Sequence, residues 1–301
     1  MRRRSLLAGF ALPFLAACTG EEPERRRVRI ATGSPTGVYH AVGTALAGLV
    51  RRELPGTETT VLATAASAEN VRLVTSGGAE VGFTQADILT GDQPSALARV
   101  YDDLLHLVVR ADSPVTALGD LRGRRVSVGA RGSGTVVTVD RLLAVARMAG
   151  TGQIQRRELS LDDSLAALGA RDIDAFFFSG GLPVTGVQRL GSDAPIRIIG
   201  LAGWAPALRQ TYTGVYEVRD VPASVYHVPA VATIAVPNLL VVPASLPEST
   251  AFDLTRLLLE RRDVLAAAHP AAERLDIRSA IATSPVPLHP GAARYYRSVK
   301  A

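Results

Sequence analysis

The chain has 301 residues, of which 47% are hydrophobic and 20% charged, and its formal net charge is +5. That length allows a large buried core and favours two globular units over one. Three of the 33 basic residues form the run Arg2–Arg4, so the rest of the chain carries only +2. No long basic run remains there, which argues against a nucleic-acid surface. Cys18 is the only cysteine, which excludes disulfides and cysteine-based metal sites or nucleophiles.

The first residues have the pattern of an export signal. Arg2–Arg4 is positively charged, and the apolar run Leu6–Leu15 that follows is too short to span a bilayer. Residues 1–17 are therefore predicted to be a signal peptide, and residues 18–27 a polar tether. The stretch Leu15–Cys18 (LAAC) resembles the bacterial lipobox, which would make Cys18 the lipidated first residue of a periplasmic, membrane-anchored lipoprotein. The alternative is a chance cysteine in a cleaved peptide.

From Val28 onward, strand-like and helix-like segments alternate, which predicts an α/β fold with a mostly parallel sheet. The first unit has predicted strands at 28–32, 57–63, 81–84 and 104–110 and predicted helices at 39–52 and 67–76. The second unit has predicted strands at 125–128, 153–159, 173–178 and 196–200 and predicted helices at 135–148, 162–170 and 204–212.

The chain then returns to the first unit through a strand-type run at 231–242, interrupted by Pro237-Asn238, and a long amphipathic helix at 250–268. An inserted second unit predicts a bilobed cleft protein whose lobes are joined by a two-segment hinge. Lobe 1 is predicted at 28–115 and 228–301 and lobe 2 at 116–227, with the hinge near 110–118 and 219–231. Two such crossings allow the lobes to close around a ligand.

Three loops rich in glycine and serine each precede a predicted helix: Gly33–Gly37, Arg131–Thr135 and Ser179–Pro183. Glycine lets the backbone approach a ligand, and helix N-termini favour negative charge. For any one loop taken alone, a tight turn between strand and helix is the favoured interpretation. One loop lies in the first lobe and two in the second, so together they predict a site for a small anion. None matches the P-loop, the dinucleotide fingerprint or the nucleophile elbow.

Polar residues also follow the strands of the first unit, at the edge of an open α/β sheet where ligands bind. Asn70 and Gln85 can recognise an amino, keto or carboxylate group with either end of the amide. Ser67 is equally explained as a helix N-cap, and Tyr39 as a core residue. The histidines lack metal-ligand spacing and no catalytic set can be assembled. We therefore predict a non-enzymatic protein without metal or cofactor.

Several motifs, in order along nearly the whole mature chain, resemble those of the TAXI solute-binding proteins, the extracytoplasmic receptors of one class of TRAP transporters. The matching stretches are Ala31–Tyr39, Ser67–Asn70, Val81–Asp87, Asp120–Gly129, Gly132–Thr135, Asp174–Pro183, Val236–Leu240 and Pro287–Ala292, before Tyr295-Tyr296. The resemblance implies a periplasmic-binding-protein-like fold (type II-like). It also implies a ligand such as glutamate, glutamine or a 2-oxoglutarate-like dicarboxylate, and delivery to an ion-coupled TRAP permease.

The resemblance and the residue analysis together give one set of expected ligand-binding residues. They are Gly37, Val38, Tyr39, Ser67, Asn70, Gln85, Asp87, Arg131, Ser133, Gly134, Thr135, Ser179, Gly180, Gly181 and Pro183. Arg131 stands where the family loop is expected to have proline, so its guanidinium either pairs with a ligand carboxylate or faces solvent. We expect a monomeric receptor. The competing expectations are a sensory receptor of the same fold that acts with a membrane histidine kinase, and an exported enzyme.

Overall fold

The computed structural model describes residues 26–90 and 94–300, which form a ten-stranded sheet flanked by helices. The strands are β1 Arg26–Ala31, β2 Thr57–Leu62, β3 Val81–Gln85, β4 Ser95–Arg110, β5 Arg125–Ser127, β6 Gln155–Arg157, β7 Ala175–Gly180, β8 Ile196–Ile198, β9 Glu217–Val221 and β10 Val231–Val242. The helices are α1 Val38–Glu53, α2 Ser67–Thr75, α3 Gly134–Val145, α4 Leu161–Gly169, α5 Thr185–Asp193, α6 Ala205–Thr211, α7 Ala223–Tyr226, α8 Glu248–Glu260, α9 Arg262–Ala268, α10 Ile277–Ala280 and α11 Pro290–Ser298. The predicted signal peptide, Cys18 and most of the predicted tether lie outside the described residues, and Arg26 and Arg27 already belong to β1.

The sheet is parallel at its two ends and antiparallel in its centre. Its strand order is β2-β1-β3-β10-β4-β7-β5-β6, with β8 added beside β4 and β9 beside β10. β1 pairs in parallel with β2 and β3, and β5 pairs in parallel with β6 and β7. β4 and β10 run antiparallel to each other and to their outer neighbours. The prediction of a mostly parallel sheet is therefore correct for the ends and wrong for the centre.

Strands β4 and β10 each pass through both halves of the molecule and join them. Gln85 of β3 pairs with Asn238 of β10 on one side, whereas Leu104 of β4 pairs with Gly180 of β7 on the other. We call the half around β1–β3 the first lobe and the half around β5–β7 the second lobe. The strands cross between the lobes near Leu104 and near residues 235–238, within the strands themselves rather than in the connections after β4 and before β10. Pro237-Asn238 does not interrupt β10, although the pairing with β4 shifts register after Asn238.

Apolar residues form a core that continues from one lobe into the other. One cluster belongs to the first lobe, where α1, α8 and α11 cover the sheet, and it includes Leu46, Phe83 and Leu254. A second cluster contains residues of both lobes, such as Leu239 and Leu142. Because the lobes share one sheet and one core, the crossing strands are both the covalent link and a packed contact between them. The lobes can bend about these strands.

The predicted helix 250–268 is two helices, because Arg261 has φ −111° and ψ 27°, outside the helical region. The Arg261 guanidinium binds the Glu53 carboxylate at the end of α1, 2.6 Å from Nε to Oε1. Over residues 26–90 and 94–300, no helix combines the length and the apolar composition needed to cross a bilayer. The expected α/β fold with two lobes and two connecting segments is confirmed.

Candidate ligand-binding cleft

A cavity of about 240 Å³ lies between the lobes, where the strands of both lobes end. It is smaller than the roughly 300–1,000 Å³ typical of drug-sized pockets, so it suits a small metabolite. Its lining residues are Gly33, Ser34, Gly37, Val38, Tyr39, Thr64, Ala65, Ala66, Ser67, Gln85, Tyr101, Asp103, Gly129, Ala130, Ser133, Gly134, Thr135, Leu159, Ser160, Leu161, Ser164, Phe177, Phe178, Ser179 and Gly180. Residues of all three glycine-rich loops are among them.

The wall from the first lobe is a chain of buried hydrogen bonds. The Tyr39 hydroxyl donates to Oδ1 of Asn238, so its oxygen is left to accept from the Ser67 hydroxyl, 3.2 Å away. The Ser67 oxygen in turn accepts from the backbone N–H of Gln85 at 3.2 Å. Ser67 is the first residue of α2 and makes no side-chain N-cap, since the capping position is Ala66. Its hydroxyl therefore connects α1, α2 and β3 beside the cavity.

The wall from the second lobe contains two helix N-termini. Ser133 caps α3 by accepting from the backbone N–H of Val136 at 3.3 Å, and Ser160 caps α4 by accepting from Asp163 at 3.1 Å. The N-terminus of α1 opposite them begins after Gly37, which supplies no side-chain cap. The first N–H groups of a helix have no acceptor within it, and the helix dipole adds partial positive charge there. Three helix N-termini around one cavity make it suitable for a carboxylate.

Contacts from lobe to lobe surround the cavity. Gln85 of the first lobe donates from Nε2 to the Ser179 hydroxyl of the second lobe. Within the second lobe, Ser179 donates its own backbone N–H to the Thr135 hydroxyl at 3.2 Å, which holds Ser179 in place for this contact. At the rim, the Thr36 hydroxyl donates to both carboxylate oxygens of Asp162 at 3.0 and 3.1 Å. These contacts indicate a closed arrangement of the two lobes.

Asp103 is the one carboxylic acid that lines the cavity within the described chain. It lies in β4 just before the crossing point, is 3% exposed, and accepts from Gln85 Nε2 at 3.1 Å. Burial raises the pKa of Asp103 to about 7, against the opposing effect of the neighbouring Asn238 and Gln85 amides, which favour the charged form. The Asn238 amide nitrogen favours the charged carboxylate, although neither this nitrogen nor Asp103 Oδ1 makes a hydrogen bond of good geometry. Asp103 is therefore poised between its neutral and charged forms at neutral pH.

Five of the expected site residues do not line the cavity, namely Asn70, Asp87, Arg131, Gly181 and Pro183. Gly181 packs against Ala271 and Tyr101, so that a Cβ there would lie 2.8 Å from the Ala271 Cβ. Pro183 follows a cis peptide bond at the end of its loop. The other ten line the cavity, as listed above.

Asn70 holds the first lobe together. Its amide nitrogen donates to the carbonyl oxygens of Thr32 and Phe83, the latter at 2.8 Å. Its amide oxygen accepts from the Thr64 hydroxyl at 2.6 Å. Each side-chain polar atom of Asn70 is thus used to tie the ends of β1 and β3 to α2.

Asp87 contacts the second lobe away from the cavity. One carboxylate oxygen accepts from the hydroxyls of Thr138 and Tyr216 at 2.8 and 2.9 Å, and Arg141 Nη1 lies 3.6 Å from it. Burial raises the pKa of Asp87, opposed by these hydrogen bonds and by the Arg141 charge. Thr138 and Arg141 follow Gly134 along α3, so this contact continues the packing of α3 against the first lobe.

Arg131 faces solvent, since its side chain is 90% exposed and its Nε binds Glu158 Oε2 at 3.1 Å. Replacing it with alanine is expected to change ligand affinity, measured with L-glutamate as the probe, less than about twofold, because the guanidinium does not line the cavity and a surface substitution usually changes free energies by less than about 0.5 kcal/mol. Calorimetry on Arg131→Ala checks this, with Arg157→Ala on β6 as the matched exposed arginine. A tenfold loss specific to Arg131→Ala would instead place the guanidinium on the ligand.

Sequence reasoning missed part of the site. Asp103 and Tyr101 were overlooked because aspartate pairs such as Asp102-Asp103 are uncommon inside strands, so the predicted strand began too late, at Leu104, whereas β4 begins at Ser95. Phe177 and Phe178 were assigned to a strand only, and the apolar wall they form with Leu159 and Leu161 depends on how α4 packs.

Within the described residues there is no group of three or more histidine, cysteine, aspartate or glutamate side chains placed to hold a metal ion.

Comparison with known proteins connects this fold and cleft to a family. Among solved structures, the periplasmic aliphatic sulphonate binding protein SsuA of Escherichia coli matches with a TM-score of 0.52 and 16% identity, over 90% of this chain and 83% of that one. The GluR0 ligand-binding core of Nostoc punctiforme, in complex with L-glutamate, matches with a TM-score of 0.51 and 14% identity, over 81% and 98% of the chains. A structure concerned with glutathione import through GshT and the cystine ABC importer TcyBC of Streptococcus mutans matches with a TM-score of 0.54 and 14% identity, over 82% and 94%. These likenesses show that the fold is that of periplasmic solute-binding proteins. The sequence matches the NMT1-like family over residues 30–299, and the chain therefore belongs to the NMT1-like family.

Proposed function

We propose that the protein is a non-enzymatic extracytoplasmic receptor that captures a small carboxylate and delivers it to a membrane transporter. The observation that carries the proposal is the small cavity between the lobes, surrounded by the N-termini of α1, α3 and α4. Backbone N–H groups and the hydroxyls of Ser133 and Thr135, which only accept within the protein, would donate to the carboxylate. Selectivity would come from buried polar groups that a wrong ligand leaves unpaired.

Closure of the lobes would report that the ligand is bound. A ligand that contacts both walls favours the closed arrangement by its differential affinity for it. The Gln85–Ser179 and Thr36–Asp162 hydrogen bonds would form at the same time. A transporter that recognises both lobes together would then distinguish the loaded receptor from the unloaded one.

We propose a TRAP-type permease as the partner, on the strength of the motifs that resemble TAXI receptors, with Cys18 as a lipid anchor at the membrane. An ABC importer is the competing partner, since a structural relative is named with a cystine ABC importer. Uptake in membrane vesicles separates the two, because a TRAP permease needs an ion gradient and an ABC importer needs ATP. A neighbouring gene for a fused TRAP permease would favour the first.

Calorimetry with L-glutamate, L-glutamine, 2-oxoglutarate and succinate tests the ligand class. We expect at least one of them to bind with a Kd at about the micromolar level or tighter, which corresponds to about −8 kcal/mol. The matched control is pentane-1,5-diol, which has the five-carbon chain of glutarate without its carboxylates and is expected not to bind. If a folded protein bound none of the four acids, the proposed ligand class would be wrong.

A further inference from the structure

Three polar side chains on one side of the cavity keep unfilled capacity to accept hydrogen bonds. Asp103 Oδ1, Gln85 Oε1 and the Tyr101 hydroxyl have no partner, although each of the three residues is at most 3% exposed. All three line the cavity, on β3 and β4 of the first lobe. Gln85 Oε1 is an acceptor only, and so is Asp103 Oδ1 when the carboxyl group is charged, so a bound molecule would have to bring donors to them. An unpaired buried polar atom of this kind is unfavourable by about 1–3 kcal/mol, which makes a donating ligand favourable there.

The charge of the cavity points in the same direction. Among its described lining residues there is no lysine, arginine or histidine, and Asp103 is the one carboxyl group. A purely anionic ligand would therefore approach a carboxyl group without a cationic side chain to offset it. A ligand with an ammonium group would neutralise Asp103, and its three N–H donors match the three unfilled acceptors.

Resting on the proposed function, we infer that Asp103, Gln85 and Tyr101 form an ammonium subsite, so that the ligand is an amino acid. Its carboxylate would lie against the N-termini of α1 and α3, and its amino group against β3 and β4. Asp103 would be the residue that selects an amino acid over the corresponding 2-oxo acid, which has the same carbon skeleton and lacks the N–H donors.

The subsite predicts opposite pH dependences for the two ligands. The ionisable groups around Asp103 are Tyr39, Tyr101, Asp87 and Asp102. Burial raises the pKa of both tyrosines well above the usual value, so they stay neutral, and Asp102 is paired with Arg99 and Arg219. An ammonium ligand favours the charged form of Asp103, so its affinity should rise with pH up to about 7. A 2-oxo acid favours the neutral form, so its affinity should fall as pH rises beyond about 7.

The experiment compares L-glutamate with 2-oxoglutarate by calorimetry on the full folded chain, between about pH 5.5 and about pH 8. We expect L-glutamate to bind about tenfold more tightly at the upper end of this range than at the lower end. At neutral pH we expect it to bind at least about tenfold more tightly than 2-oxoglutarate. L-Leucine and its 2-oxo acid form a second matched pair, in case the cavity prefers an apolar side chain. This comparison needs no variant, so it holds even if substitutions at Asp103 fail to fold.

Asp103→Asn then removes the charge with almost no change of shape. We expect it to weaken L-glutamate binding at least about tenfold, to leave 2-oxoglutarate binding equal or tighter, and to abolish both pH dependences. Asp102→Asn is the matched control, since Asp102 is adjacent, paired with arginine and absent from the cavity lining. It should preserve the preference for the amino acid.

Each result has a definite meaning. If 2-oxoglutarate binds as tightly as L-glutamate, or if L-glutamate binds more weakly as pH rises towards 7, the ammonium subsite is wrong and the carboxylate receptor stands. If neither amino acids nor carboxylic acids bind to the folded wild type, the proposed function fails, and the subsite fails with it.

Discussion

Replacing Gly134 with alanine is expected to weaken binding of the proposed ligand, tested with L-glutamate, by about five- to 150-fold while the protein stays folded. A Cβ at Gly134 would lie 2.0 Å from Gln85 Oε1 and 2.8 Å from the Ser67 hydroxyl, both in the opposite lobe. Gln85 is not free to rotate away, because its amide nitrogen binds Asp103 and Ser179. Overpacking at such a contact is unfavourable by about 1–3 kcal/mol, and opening of the lobes is the simplest way to relieve it.

The comparison needs calorimetry together with small-angle scattering, which reports whether added ligand still makes the protein more compact. Gly169→Ala is the matched control, since this glycine ends α4 and an added Cβ there meets nothing within 4 Å. The variant Gly134→Ala should lose affinity and stay expanded with ligand, and Gly169→Ala should do neither. Wild-type affinity in Gly134→Ala would mean that ligand binding does not need this close contact between lobes.

Replacing Asn70 with alanine is expected to lower the free energy of unfolding by about 3 kcal/mol and the Tm by about 5–10 °C. The substitution removes the buried amide donor from the carbonyl oxygens of Thr32 and Phe83, although the Thr64 hydroxyl still lies 3.1 Å from the Thr32 oxygen. Each such group is unfavourable by about 1–3 kcal/mol. Thermal and denaturant unfolding measure the loss, and ligand titration of the folded variant measures whether affinity changes separately.

Thr75→Ala is the control for Asn70, because Thr75 is exposed at the end of the same helix and bonds only to backbone oxygens of its own turn. We expect it to change stability by less than about 0.5 kcal/mol. If Asn70→Ala unfolded like wild type but bound ligand more weakly, Asn70 would be a ligand-binding residue and would not hold the first lobe together.

The glycine-rich loops are the part of the cleft that could be predicted from the sequence. Gly37, Ser133 and Ser179 are next to local signals that need no knowledge of the fold, namely a strand, a glycine-rich turn and an apolar helical pattern. In an open α/β sheet such loops lie at the carboxyl ends of strands, so their place at the cavity could be predicted. Gln85 was found by the same logic, as the last residue of a buried strand.

Asn70 and Asp87 show why the same logic fails for other residues. Both are polar and buried, Asn70 in the first turn of α2 and Asp87 just after β3. Asn70 binds backbone carbonyl oxygens within its own lobe, and Asp87 binds a hydroxyl of α3. These partners come from segments distant in the sequence and occupy the polar atoms that a ligand would otherwise bind. The position in the sequence predicts that a polar side chain lies near the cleft. The residues packed around it in the folded protein determine what it binds.

Asp103 is the opposite case, because it lines the cavity but lies in a segment that was left outside the predicted strand 104–110. The sequence by itself determined the alternation of strands and helices, the insertion of one lobe in the other and the loops that line the cleft, because all of these rest on local periodicity and turn chemistry. Only the tertiary structure decided that β4 and β10 run antiparallel through both lobes, and so carry Asp103 and Tyr101 into the cavity between the lobes. The physical reason is that burial, unlike periodicity, depends on segments far apart in the chain, and burial is what raises the pKa of Asp103 and leaves its second oxygen without a partner.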